Sequence, residues 1–146
     1  MLKGISKLLT GDLLKALCDM GHGDELVIAD ANFPAYTVGQ RVISYPGIDA
    51  TTLLREIVRL FPLDHAVKDA AVVLDLIPED IARGYTHADI WDDFTEILQA
   101  EYGPDKHLKE IERQSFYERS KKAYLVILTG EERLYGDLLL VKGVVE

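Results

Sequence analysis

Four apolar runs constrain the fold of this chain more than any other feature: residues 26–29 (LVIA), 70–76 (AAVVLDL), 124–128 (YLVIL) and 137–141 (DLLLV). Successive side chains of a strand point to opposite faces, so a strand with one wet face alternates apolar and polar residues. Runs without alternation belong to strands covered on both faces, as in parallel sheets. Helical patterns separate them. Thr10 can cap a helix with Leu13, Leu14, Leu17 and Met20 at helical spacing and Asp12 in its first turn, and Gly21 suits the left-handed position past its end. Asp49 can cap a second, with Leu53, Leu54, Ile57, Val58 and Phe61 on its buried side and Pro62 closing it. Ile90, Trp91, Phe94, Ile97 and Leu98 mark a third, which Gly103-Pro104 ends. Ser115 with Glu118 reads as a capping box opening a short fourth.

Lesser strands are expected near residues 41–45 and 108–112, with a turn at Pro78-Glu79-Asp80. Helices alternating with unpatterned strands predict an α/β domain of three layers, α/β/α, around a largely parallel sheet. No linker, repeat or low-complexity tract interrupts the chain, so residues 1–146 read as one domain.

Charge narrows the partners. A net charge of −9 opposes nucleic acid and anionic membranes, both of which call for a basic surface. No run approaches the roughly 18 apolar residues of a membrane span, and Met1-Leu2-Lys3-Gly4 does not begin a signal peptide. A single cysteine, Cys18, forms no internal disulfide, which together with the N-terminus points to the cytoplasm. Lying four residues after Leu14, Cys18 reads as a small core residue. A small neutral ligand or a protein partner remains.

The stretch DMGHGDELVIADANFPAY, residues 19–36, holds the first candidate chemistry. Its glycines follow a helix and precede a strand, the reverse of a phosphate loop, in which a strand leads through glycines to a positive helix N-terminus. The helix instead turns its negative end toward His22, which suits a proton-bearing imidazole and a general acid. A capping histidine bonded to the last helical carbonyls is the plain alternative. Asp30 ends the first buried strand, at the edge where α/β sheets bind ligands; alternatively it organises the Asn32-Phe33-Pro34 turn. A strand of about seven residues holds His22 and Asp30 some 20 Å apart when extended. They can share a site only if the chain folds back or a second copy supplies one of them. His65, His87 and His107 lack metal-type spacing to each other or to Cys18, and no nucleophile elbow is present.

Two long blocks then carry a resemblance. LLKALCDMGHGDELVIADANFPAY resembles the N-terminal signature of the RbsD/FucU family of sugar mutarotases. IERQSFYERSKKAYLVILTGEERLYGDLLLVKGV resembles its C-terminal signature, with the Phe116-Tyr117-Glu118-Arg119, Thr129-Gly130-Glu131 and Tyr135-Gly136 elements at family-like spacing. Arg113, where the ribose-type branch typically carries histidine, favours the fucose-type branch. The resemblance implies an isomerase that interconverts sugar anomers without cofactor or metal, with His22 as proton donor. It implies sugar binding by Asp30, Arg113, Tyr135, Gly136 and Asp137. It also implies a ring-like homo-oligomer, typically a decamer, with sites near subunit interfaces. One departure is Asp137, where the family usually has asparagine: asparagine can donate to a sugar oxygen, whereas an ionised aspartate only accepts.

Three readings follow from residues and resemblance together. The first is an L-fucose-type mutarotase. The second is a ribose-type pyranase or a mutarotase of another sugar, which Asp137 allows. The third is a non-catalytic sugar-binding subunit linked to uptake, in which His22 only hydrogen-bonds.

Overall fold

The computed structural model describes residues 1–145; Glu146, which closes the domain read from sequence, lies outside them. Each of the four apolar runs forms a strand. They are β1 (Glu25–Ala29), β3 (Ala71–Leu74), β5 (Leu125–Thr129) and β6 (Leu138–Val141), and the lesser pair are β2 (Val42–Tyr45) and β4 (Lys109–Ile111). One six-stranded sheet takes all of them in the order β2-β5-β1-β6-β3-β4. The pairs β2/β5, β1/β5 and β3/β4 are parallel, whereas β6 is antiparallel to both its neighbours, β1 and β3. Five strands therefore point one way and β6 alone returns, as the largely parallel prediction requires. Every residue of β3 and β6, and all of β1 after Glu25, is buried. Continuous burial along a period-two element requires cover on both faces.

Among the described residues six helices surround the sheet: α1 (Gly11–Asp19), α2 (Ala35–Val38), α3 (Ala50–Val58), α4 (Pro78–Ala82), α5 (Asp89–Tyr102) and α6 (Arg113–Lys122). Thr10 caps α1 through a bond from the Leu13 amide, and Asp49 caps α3 by accepting from the Thr52 amide at 2.7 Å, both as expected. Trp91 and Phe94 of α5 are buried core, and Gly103 ends that helix with φ +114°. The expected turn at Pro78 is the short helix α4.

Three local expectations fail. Gly23, not Gly21, is left-handed (φ +84°). The last carbonyls of α1 are met by the ammonium of Lys142, which bonds Leu17 and Met20 O, so no glycine cap is needed there. Cys18 is exposed, because the inward stripe of α1 is Leu13, Leu17 and Met20 and Cys18 lies a step of about 100° round from Leu17. Ser115 and Glu118 form no capping box. Helix α6 starts at Arg113, immediately after β4 leaves the sheet, and Glu118 bonds Lys121 instead.

Candidate active site

The parallel strands end along one edge of the sheet, and a cleft of about 260 Å³ opens there. Its position beyond the carboxyl ends of strands is where open α/β sheets bind ligands, and its size lies just below the roughly 300–1,000 Å³ of drug-sized pockets. Asp30 arrives directly after β1, Arg113 at the start of α6 after β4, and Tyr135 and Asp137 just before β6; all four line the cleft. Sheet order thus gathers residues more than a hundred positions apart in sequence.

Each is held locally. Asp30 makes the expected turn, accepting from the Asn32 amide at 2.8 Å, while its own amide donates to Asp137 Oδ1 at 2.9 Å. Gly136 has no room for a side chain: a Cβ there would stand 2.8 Å from Glu131 Cγ, 3.1 Å from Arg133 O and 3.2 Å from Asp30 Cβ. Tyr135 takes a left-handed backbone (φ +63°), costly for a bulky residue. Its hydroxyl donates to Asp80 Oδ2 at 2.5 Å and accepts from the Ile77 amide at 3.2 Å, while Trp91 Nε1 donates to its carbonyl at 3.3 Å. Those contacts over-determine the strained residue. Behind the loop, buried Glu131 grips Arg133 through both carboxylate oxygens, and Arg133 also reaches Asp93 at 2.7 Å. One wall is aromatic, with Phe33 stacked on Tyr117 at 5.2 Å and the Arg113 guanidinium 5.6 Å from the Tyr117 ring.

Two neighbouring carboxylates, one of them buried, are electrostatically tense. Asp137 is buried, and that burial, then the Asp30 carboxylate, push its carboxyl up to about 7, against the Asp30 amide and Arg113. Burial also raises Asp30, opposed by the Asn32 and Phe33 amides and assisted by Glu131.

His22 is elsewhere. It precedes β1, whereas Asp30 follows it, so five strand residues at roughly 3.3 Å each separate the two. His22 neither joins the cleft nor caps α1; its Nε2 lies 3.0 Å from Oδ2 of Asp64. The Asp64 side chain is 4% exposed against 56% for His22. The Ala66 amide, then His22, hold the Asp64 carboxyl below its usual range. Asp64 thus presents a fixed anion that orients the imidazole, leaving Nδ1 open. The segment is tied down by Gly23 N to Lys142 O (2.8 Å) and Asp64 N to Val141 O (3.0 Å). Among the described residues no group of three histidine, cysteine or acidic side chains is placed to hold a metal ion, and no helix is long and apolar enough to cross a membrane.

The model of the RbsD / FucU transport protein family matches residues 3–145. The chain belongs to the RbsD/FucU family. Its RbsD/FucU relatives include the fucose mutarotase of Danio rerio, 47% identical over 99% of this chain and 95% of that one. The human fucose mutarotase is 45% identical over 98% and 94%. The crystal structure of the fucose mutarotase from Streptococcus pneumoniae in complex with L-fucose superposes with a TM-score of 0.91 at 38% identity, covering 99% of this chain and 100% of that one. The three-layer fold expected from the apolar runs is thus the RbsD/FucU fold.

Sequence reasoning missed Asp64 and Asp80. Neither stands in a motif: one is chosen by the isolated bridge between Leu63 and Lys142 beside β6, the other by a helix of five residues.

Proposed function

We propose that the protein is an L-fucose mutarotase, an isomerase that interconverts the α and β anomers of the sugar. Similarity to fucose mutarotases over nearly the full chain carries this reading, and the cleft is chemically suited to a monosaccharide. Asp30 offers oxygens to hydroxyls, Asp137 lines the cleft beside it, Arg113 offers donors, and the Phe33–Tyr117 wall offers an apolar surface to one face of the ring. Gly136 lets the sugar-facing loop lie close against Asp30.

Ring opening requires a proton on the ring oxygen and loss of one from the anomeric hydroxyl. His22 is the donor in this reading. With Nε2 engaged by Asp64, Nδ1 is the atom that gives the proton, and Asp64 is a positioning residue acting through the imidazole. General acid–base catalysis of this kind contributes a factor of about 10²–10⁴. Because β1 separates His22 from the cleft, a site combining them draws His22 from a neighbouring copy. A homo-oligomeric ring, typically a decamer in this family, supplies that neighbour. The expected setting is the cytoplasm.

The test is NMR magnetisation exchange between anomers of L-fucose, D-ribose and further monosaccharides. Faster anomeric exchange for fucose, lost in His22→Ala, is the expected result. Faster pyranose–furanose exchange of ribose alone would assign another sugar, and binding without faster exchange would leave a sugar-binding subunit. Full activity in His22→Ala would remove the proposed acid.

A further inference from the structure

Among the described residues no cation is bonded to the Asp137 carboxylate, which lines the cleft beside Asp30. Its Oδ1 is tied to the Asp30 amide at 2.9 Å, and the residue is 7% exposed. No buried side-chain oxygen or nitrogen is sealed off without a partner among the described residues. Oδ2 therefore opens on the cleft that Asp137 lines. The charged groups around it come from several elements. Asp30 follows β1, with Glu131, from the loop after β5, acting on it; Arg113 opens α6; and Tyr135 sits two residues before Asp137, its hydroxyl on Asp80 of α4. Arg113 is exposed and its guanidinium lies against the Tyr117 ring, so its charge is largely spent in water. Two neighbouring acidic groups, one of them buried, resist ionising together.

We infer that Asp137 works in this cleft as a carboxylic acid, with Oδ1 accepting from the Asp30 amide and Oδ2–H donating to an oxygen of the bound sugar. The pair then divides its labour: Asp30 accepts from sugar hydroxyls and Asp137 donates, which matches a ligand whose oxygens do both. As pH rises through neutrality the donor is lost, and a second anion repels the sugar's oxygen lone pairs. Asp137 becomes a specificity-determining residue that also sets the upper pH limit of binding. The donor role rests on the sugar reading of the cleft, while the protonated state of Asp137 does not.

Two measurements test it. The first follows side-chain carboxyl ¹³C shifts by NMR in the sugar-free protein, with the Asp137 signal identified by its disappearance in Asp137→Asn. The expected result is a carboxyl still protonated at pH 6 that titrates near neutrality and shifts downward in Asp30→Asn. A carboxylate ionised throughout pH 5–9 would overturn the inference, whatever the protein's activity. The second measures equilibrium L-fucose affinity across the same range. Affinity in the unmodified protein should fall about tenfold per pH unit above the transition, the limit for losing one proton. In Asp137→Asn, whose amide donates at every pH, that fall should vanish, so that the variant binds more tightly than the parent at pH 9. An unchanged slope in the variant would refute the donor role. Absence of any mutarotation, with the titration as expected, would sink the functional reading and leave the protonated acid standing.

Discussion

Mixing two crippled variants tests whether one site joins His22 and Asp30 from different copies. One partner carries His22→Gln, the other Asp30→Asn, which keeps an oxygen for the Asn32 amide. The five residues of β1 put roughly 17 Å between the two ends of the strand, far beyond the approximately 3 Å reach of a hydrogen bond. If each site takes His22 from one copy and Asp30 from its neighbour, an intact site needs an Asp30→Asn copy on the first side and a His22→Gln copy on the second. Random assembly of equal amounts meets both conditions at about one half times one half, or one quarter, of the interfaces. The two variants, differently tagged, are co-expressed and purified through both tags, so that every assembly contains both. Fucose anomer exchange is then read by NMR. His22→Gln alone should lose a factor of about 10²–10⁴ as the proton donor, Asp30→Asn alone should lose activity through weaker sugar binding, and the mixed assembly should recover about a quarter of the parental rate. A mixed assembly no more active than its parents would refute the reasoning, since a site built within one chain gains nothing from mixing.

The remaining predictions concern single substitutions. Burial opposes ionisation of Asp49, but bonds from the Thr52 amide and the Thr51 and Thr52 hydroxyls hold it at about 2, below the ordinary aspartate value of 3.8. A depressed carboxylate stabilises the fold above its unfolded value and loses that contribution as pH falls. Asp49→Ala should therefore cost about 2 kcal/mol at pH 7 and little near pH 2 in urea titrations; a cost that does not vary with pH would contradict this. Gly136→Ala should cost about 1–3 kcal/mol by overpacking against Glu131 and Arg133 O, and weaken fucose binding by displacing Asp30, both visible in one thermal-shift series with and without sugar. Tyr135→Phe removes the bond to Asp80 and leaves that carboxylate with Arg83 alone. Stability should drop by about 1–3 kcal/mol, and parental kcat/KM in the variant would show that the hydroxyl serves only the fold. Phe116→Ala empties a fully buried ring position beside Phe33 and should cost about 3–5 kcal/mol in the same denaturation assay.

What the sequence determined by itself was local or periodic. Unbroken apolar runs announced strands covered on both faces, and short-range side-chain-to-amide bonds let Thr10 and Asp49 be read as caps. The spacing of His22 and Asp30 across one strand already required either a fold-back of the chain or a second copy to unite them, because strand rise is fixed by covalent geometry. The tertiary structure decided whatever depends on a partner distant in sequence. Lys142 took the cap that Gly21 was expected to make, and the exit of β4 from the sheet started α6 ahead of Ser115. Cys18 turned outward because the register of three apolar residues, not its own chemistry, set the buried face of α1. Asp64 and Asp80 acquired their partners only through the strand order that carries β6 between β1 and β3. The pairing of Asp30 with Asp137 belongs to the same class: each residue is visible in the sequence, but the bond from the Asp30 amide to Asp137 Oδ1, and the upward shift of the Asp137 carboxyl, come from burial at one sheet edge. Propensity and periodicity act over a few residues, whereas burial and electrostatics act over distance in space, so the elements could be read in advance and their electrostatic setting could not.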